Sequence, residues 1–144
     1  MIKTTYEEYL EQNGEMTYSN VGVSMMPLLK QGRDLFTVKK KGEERCKKYD
    51  VVLYRRPPDS YVLHRIIKVC DKDYVILGDN CINKEYGIKD EDIIGVMTSF
   101  VHNGRKHSID EFGYRLYSHI WVDLAAVRIF FMRVKLKLKR LIKR

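Results

Sequence analysis

Three residues in this sequence combine the types and local settings that acyl transfer requires: Ser24, His64 and Asp79. Ser24 lies in Val21-Gly22-Val23-Ser24-Met25-Met26-Pro27, between a β-rich run and a short turn whose start Pro27 restricts. Such a junction presents a hydroxyl for attack together with free backbone N–H groups for an oxyanion. His64 lies in Tyr61-Val62-Leu63-His64-Arg65-Ile66, where alternation puts it on one strand face with Val62 and Ile66. A neutral imidazole in a partly dry site is a general base suited to neutral pH. Asp79, in Leu77-Gly78-Asp79-Asn80, ends the next strand, where a carboxylate can orient an imidazole and stabilise its protonated form. Taken singly, each has a structural reading too: Ser24 as a turn cap, His64 as a core histidine, Gly-Asp-Asn as a turn.

The elements that must position these residues are short. Thr4 or Thr5 caps a helix running to Gln12, which Asn13-Gly14 ends. Runs at 15–21, 34–40, 49–55, 61–69, 73–78 and 93–101, separated by Gly, Pro, Asp and Asn, predict a compact, mostly antiparallel β-domain. Asn103-Gly104 predicts a hairpin to a further strand at 105–109. The capping-box spacing of Ser108 and Glu111 opens one or two helices over about 110–142. The expected organisation is a mainly β (α+β) body over 1–109 and a helical tail over 110–144.

In order, Gly22-x-Ser24-Met25-x-Pro27, Gly32-x-Asp34, Tyr49-Asp50-Val51-Val52, His64-Arg65-Ile66 and Gly78-Asp79-Asn80 resemble the signal peptidase I and LexA-type serine peptidase superfamily. The resemblance spans about residues 16–100. It implies a β-rich fold of that type and peptide-bond cleavage by a serine nucleophile, with no metal or organic cofactor. Carried across, Ser24 matches the nucleophile and its own N–H an oxyanion donor. His64 stands where bacterial signal peptidases and LexA-type repressors use lysine, as in the archaeal and endoplasmic-reticulum branch, and Asp79 matches the acid of the Gly-Asp-Asn motif. Val21, Gly22 and Val23 become the expected substrate-binding residues, an extended peptide adding beside the 15–21 strand. Two features depart from the pattern: Gly22 replaces the Ser usual two residues before the nucleophile, and the N-terminal membrane anchor is not seen.

Composition bounds the remaining possibilities. The 144 residues, 44% hydrophobic and 32% charged, suit one globular domain and exclude disordered and collagen-like chains. The net charge of +8 sits in residues 128–144, where eight bases stand without an acid, leaving 19 bases against 19 acids elsewhere. A neutral body makes nucleic acid a poor partner; the tail instead suits a local anionic surface. On a helical wheel Val127, Phe130, Phe131, Val134, Leu138, Leu141 and Ile142 share about a third of the circumference and the bases lie outside it, with Ile129, Met132 and Leu136 as exceptions. Cys46, Cys70 and Cys81 form neither a paired framework nor a zinc spacing, which suits a reducing compartment. The expected activity is a Ser/His(/Asp) endopeptidase on leader-like or other extended peptides, held peripherally on a membrane at the cytoplasmic face or otherwise located in the cytoplasm. The alternative is a catalytically silent or self-processing regulatory module with the same fold.

Overall fold

A computed structural model describes residues 5–58 and 60–143. The first element, α1 (Tyr6–Asn13), begins where Thr5 Oγ1 accepts from Glu8 N–H and the Glu8 carboxylate accepts from Thr5 N–H, a reciprocal cap. It ends at Gly14, whose φ of 76° takes the left-handed conformation. Eight strands follow: β1 (Glu15–Ser19), β2 (Leu35–Lys40), β3 (Val51–Arg56), β4 (Ser60–Val69), β5 (Tyr74–Leu77), β6 (Glu85–Ile88), β7 (Ile93–His102) and β8 (Arg105–Ser108). Two helices, α2 (Phe112–Asp123) and α3 (Ala125–Ile142), follow, so that the described residues form a mainly antiparallel β-sheet with three α-helices and one 3-10 turn at Asp90–Asp92.

The strand order is β1-β2-β7-β3-β4-β5-β6, with β8 pairing the far end of β7. All pairings are antiparallel, and Val52 stands opposite His64 in the β3–β4 ladder. The long β7 is shared: its first residues pair β3, and its last pair both β2 and β8. Asn103 and Gly104 turn β7 into β8 with φ of 51° and 82°, the positive values a two-residue hairpin needs.

Two differences from the sequence reading have local causes. β1 stops at Ser19 rather than 21, because buried Asn20 donates to the carbonyls of Gly22 and Leu29 and draws the chain into a turn. The helix after the hairpin starts at Phe112 because Ser108 and Glu111 bond within the preceding turn: Ser108 N–H donates to Glu111 Oε2 and Asp110 N–H to Ser108 Oγ.

Two apolar clusters fill the two sides of the sheet. One joins Leu10, Met16, Met25, Leu29, Phe36 and Leu53, and so ties α1 and the Ser24 loop to the sheet. The other joins Val52, Tyr54, Ile66, Tyr74 and Ile76. Of the 110–144 segment, α2 and the start of α3 pack on the body. Ala125 and Ile129 meet Leu77, which explains why Ile129 sits on the otherwise basic side of the helix.

The helix is fastened by a polar centre. Arg65 is fully buried and donates from Nε and Nη2 to the two oxygens of Asp79 at 2.8 and 2.9 Å. Its Nη1 reaches the Tyr49 carbonyl, the Tyr114 hydroxyl and Ser118 Oγ, while the Tyr114 and Tyr117 rings flank the guanidinium. Burial alone would lower the Arg65 pKa, but the Asp79 charge outweighs it and keeps the guanidinium charged. Removing one partner of a buried pair costs about 3–5 kcal/mol. Arg65→Ala is therefore expected to lower unfolding stability by that amount in urea titration, and Arg65→Lys to recover little of it because the fork geometry is lost. A loss under about 1 kcal/mol would place the linchpin elsewhere.

Candidate active site

The Ser24 loop is held at both ends. At its exit, buried Asp34 accepts from Lys30 N–H at 2.8 Å, Asn103 N–H at 2.9 Å and the Arg33 guanidinium. Burial pushes this carboxyl up, but Arg33 and the two backbone donors together hold it well below the usual carboxylate range. That accounts for the Gly32-x-Asp34 motif as loop scaffolding. At the Ser24 end, Asn80 N–H donates to the Ser24 carbonyl at 2.8 Å and Asn80 Nδ2 to the Val23 carbonyl at 3.0 Å. Among the described residues, the Ser24 N–H has no protein acceptor, as an oxyanion donor must.

Ser24 and His64 line one cleft of about 630 Å³ together with Val21, Asn20, Arg56 and Glu85. Gly78 lies where the Ser24 loop meets His64 of β4. A Cβ on Gly78 would lie 2.8 Å from the Ser24 carbonyl oxygen, 2.9 Å from His64 Nε2 and 2.7 Å from Cys81 Sγ. His64 Nε2 and the Ser24 backbone therefore converge on a space that only glycine leaves open. No hydrogen bond joins Ser24 Oγ to His64 among the described residues.

His64 is 6% exposed, and its Nδ1 lies 3.2 Å from the Tyr54 hydroxyl. A base at Nε2 requires the tautomer with the proton on Nδ1, which then donates to the Tyr54 oxygen. Burial is the main reason the imidazole pKa falls to about 4; the Arg56 charge lowers it further and Asp79 partly opposes both. The ring is thus neutral at pH 7. Glu85 Oε1, 3.9 Å from Nδ1, is paired with Arg56 and forms no ion pair with a neutral ring.

Asp79 does not touch His64. Its carboxylate accepts from Arg65 and from the Tyr117 hydroxyl at 2.7 Å, and its carbonyl accepts from Trp121 Nε1 at 2.8 Å. The contact to His64 Nδ1 expected of Asp79 is instead made by the Tyr54 hydroxyl, with Arg56 and Glu85 beside it. These three were missed by the sequence reading, although alternation along 52–56 puts Tyr54 on the face of Val52, diagonally beside His64. Val21, Gly22 and Val23 lie in the bend after β1 rather than on the strand. Val21, 74% exposed, borders the cleft, and Gly22 takes a φ of 83°. Lys68, a second basic residue on β4 four positions beyond His64, is exposed and does not line the cleft, because a register shift between Ile66 and Lys68 breaks the alternation.

Gly78→Ala tests the convergence directly. Its Cβ has no room without displacing Ser24 or His64, so any peptide hydrolysis that uses this pair should fall about a hundredfold in kcat/KM. Stability should fall by only about 1–3 kcal/mol, as in overpacked cores. Wild-type turnover by the variant would show that the close approach is not needed.

No family model, curated protein or solved structure matches this chain.

Proposed function

We propose that the protein is a serine endopeptidase of the signal peptidase and LexA type, with Ser24 as nucleophile, His64 as general base and the Ser24 N–H as an oxyanion donor. The observation that carries this reading is that Ser24 and His64 line one cleft, with Nδ1 held by Tyr54 and no hydrogen-bond partner for Nε2 among the described residues. In the proposed step His64 Nε2 takes the Ser24 hydroxyl proton as Oγ bonds to the scissile carbonyl carbon. The same proton passes to the leaving amine, and water then releases the acyl group by the reverse sequence. Because Asp79 is committed to Arg65, the machinery is a dyad assisted by Tyr54 rather than a triad.

An extended peptide is the substrate class. β1 is an edge strand with one free side, and the cleft continues from its end past Tyr18, Ser19 and Val21. The basic, amphipathic α3 supports peripheral attachment to an anionic membrane surface, and no helix of the described residues is long and apolar enough to cross a membrane. A silent or self-processing module is the second reading, favoured by the missing Ser24–His64 hydrogen bond.

Ser24→Ala and His64→Gln separate the two. Each is expected to reduce cleavage of a peptide library, read by mass spectrometry, by about a thousandfold or more, since both disable one step. Cleavage that persists in purified Ser24→Ala protein would refute the nucleophile; a wild-type chain that cleaves nothing, itself included, would favour silence.

The pH profile has a definite sign. A base works deprotonated, so activity is lost as pH falls through its pKa. The sequence alone, starting from an unperturbed histidine near 6.5, predicts an acid limb at 6–7. With the ring buried and its pKa at about 4, kcat/KM should stay level from neutral pH down to about 5 and halve near 4, with folding followed in parallel. A midpoint above pH 6 would mean that the ring is solvated or that another group is the base.

A further inference from the structure

We propose that α2 and α3 together form one face that docks on an anionic phospholipid bilayer, a face that begins at Phe112 rather than in the basic tail. The inference extends the membrane-surface reading of α3 and is independent of the peptidase reading. On α2, Phe112, Leu116 and Ile120 are exposed, Phe112 to 81%, and Leu124 at the junction continues the row. The same step of three or four residues runs on through exposed Val127, Phe131, Val134 and Leu138. The opposite side of α2 carries the buried Ser118 and Val122, and Ala125 and Ile129 of α3 are buried likewise, so the apolar row faces away from the body. Leu124 is the single non-helical residue between the helices. Backbone bonds from Leu124 N–H to the Ile120 carbonyl and from Arg128 N–H to the Leu124 carbonyl carry the helical pattern across it. At 1.5 Å per residue the row is about 40 Å long.

The charge beside this row selects its occupant. From Leu124 to the end of the chain there are eight bases and no acid. A second copy docked face to face would set these cations against one another, whereas anionic lipid headgroups would neutralise them. The exposed apolar arc is also wider than the two-position seam of a coiled coil, and it suits burial at the headgroup boundary. The face is tied to the candidate site: Tyr117 and Trp121 bond Asp79, and Arg128 Nη1 donates to the Cys81 carbonyl at 3.2 Å. Docking would therefore hold the cleft at a fixed attitude to the lipid.

The test is flotation of the full chain with vesicles of phosphatidylglycerol and phosphatidylcholine, and with phosphatidylcholine alone. The wild type is expected to float with the anionic vesicles, and Phe112→Gln/Leu116→Gln/Ile120→Gln to bind about tenfold or more weakly although every base is retained. These side chains are exposed, so circular dichroism and the melting temperature should not change; if the triple variant fails to fold, Phe112→Gln and Ile120→Gln are measured singly, each expected to weaken binding about threefold. Ser24→Ala should float as the wild type does, so a failed peptidase reading leaves this result standing. Wild-type flotation by the α2 variants would overturn the proposal in favour of a tail-only anchor. Equal binding to neutral vesicles would overturn the choice of lipid, and a lipid-independent dimer by light scattering, with no flotation, would assign the face to a second copy.

Discussion

The buried pair of Arg65 and Asp79 is the interaction on which the arrangement of the site depends. Five donor contacts leave the guanidinium and reach the Gly-Asp-Asn turn, the segment before β3 and two positions on α2. An ion pair taken out of water is a poor source of stability unless its remaining groups are satisfied, and here they are. The consequence is positional. With Asp79 fixed, Asn80 N–H meets the Ser24 carbonyl and Gly78 lies against His64 Nε2, so a pair that touches neither candidate catalytic group sets the approach of both.

Adjacent residues on β4 carry opposite duties because a strand alternates its faces. His64 turns toward the cleft and loses its charge to burial, whereas Arg65 turns toward α2 and keeps its charge through Asp79. The pairing also explains why Asp79 has little hold over the imidazole. A carboxylate bonded on both oxygens by a guanidinium presents almost no net charge beyond it, so desolvation and Arg56 decide the state of His64.

What could be read from the sequence was whatever is encoded within a few residues. The Thr5 cap, the Gly14 stop and the Asn103-Gly104 hairpin are set by local backbone chemistry, and each forms as expected. The ordered motifs likewise led to Ser24 and His64, which share a cleft. Pairings between distant segments were not legible. Asp79 follows Arg65 by 14 positions, and nothing in spacing distinguishes a carboxylate aimed at residue 65 from one aimed at 64. β6 was missed because Glu85-Tyr86-Gly87-Ile88 lacks apolar alternation; it is a short strand at the sheet edge, and only its pairing with β5 makes it one. Ile129 looked like a flaw in the helical wheel until the body against which it packs was known.

The state of His64 shapes the energetics of any acyl transfer at this cleft. An imidazole with a pKa near 4 is always ready as an acceptor at neutral pH, but its protonated form is about 3 kcal/mol less favourable than that of a solvated histidine, at 1.36 kcal/mol per pKa unit. A base so weakened leaves more of the barrier to other groups. For such a reaction the Ser24 N–H, which has no acceptor among the described residues, would be one, since an oxyanion donor contributes several kcal/mol. The other is Tyr54, because a hydroxyl accepting from Nδ1–H stabilises the imidazolium without adding a charge. Tyr54 is itself buried, with its pKa pushed up to about 12, so it stays protonated throughout the range in which the base must cycle. Beside His64 Nδ1 the cleft thus sets a neutral hydroxyl, with the Glu85 carboxylate 3.9 Å away and paired with Arg56, while the Asp79 carboxylate is bonded to Arg65.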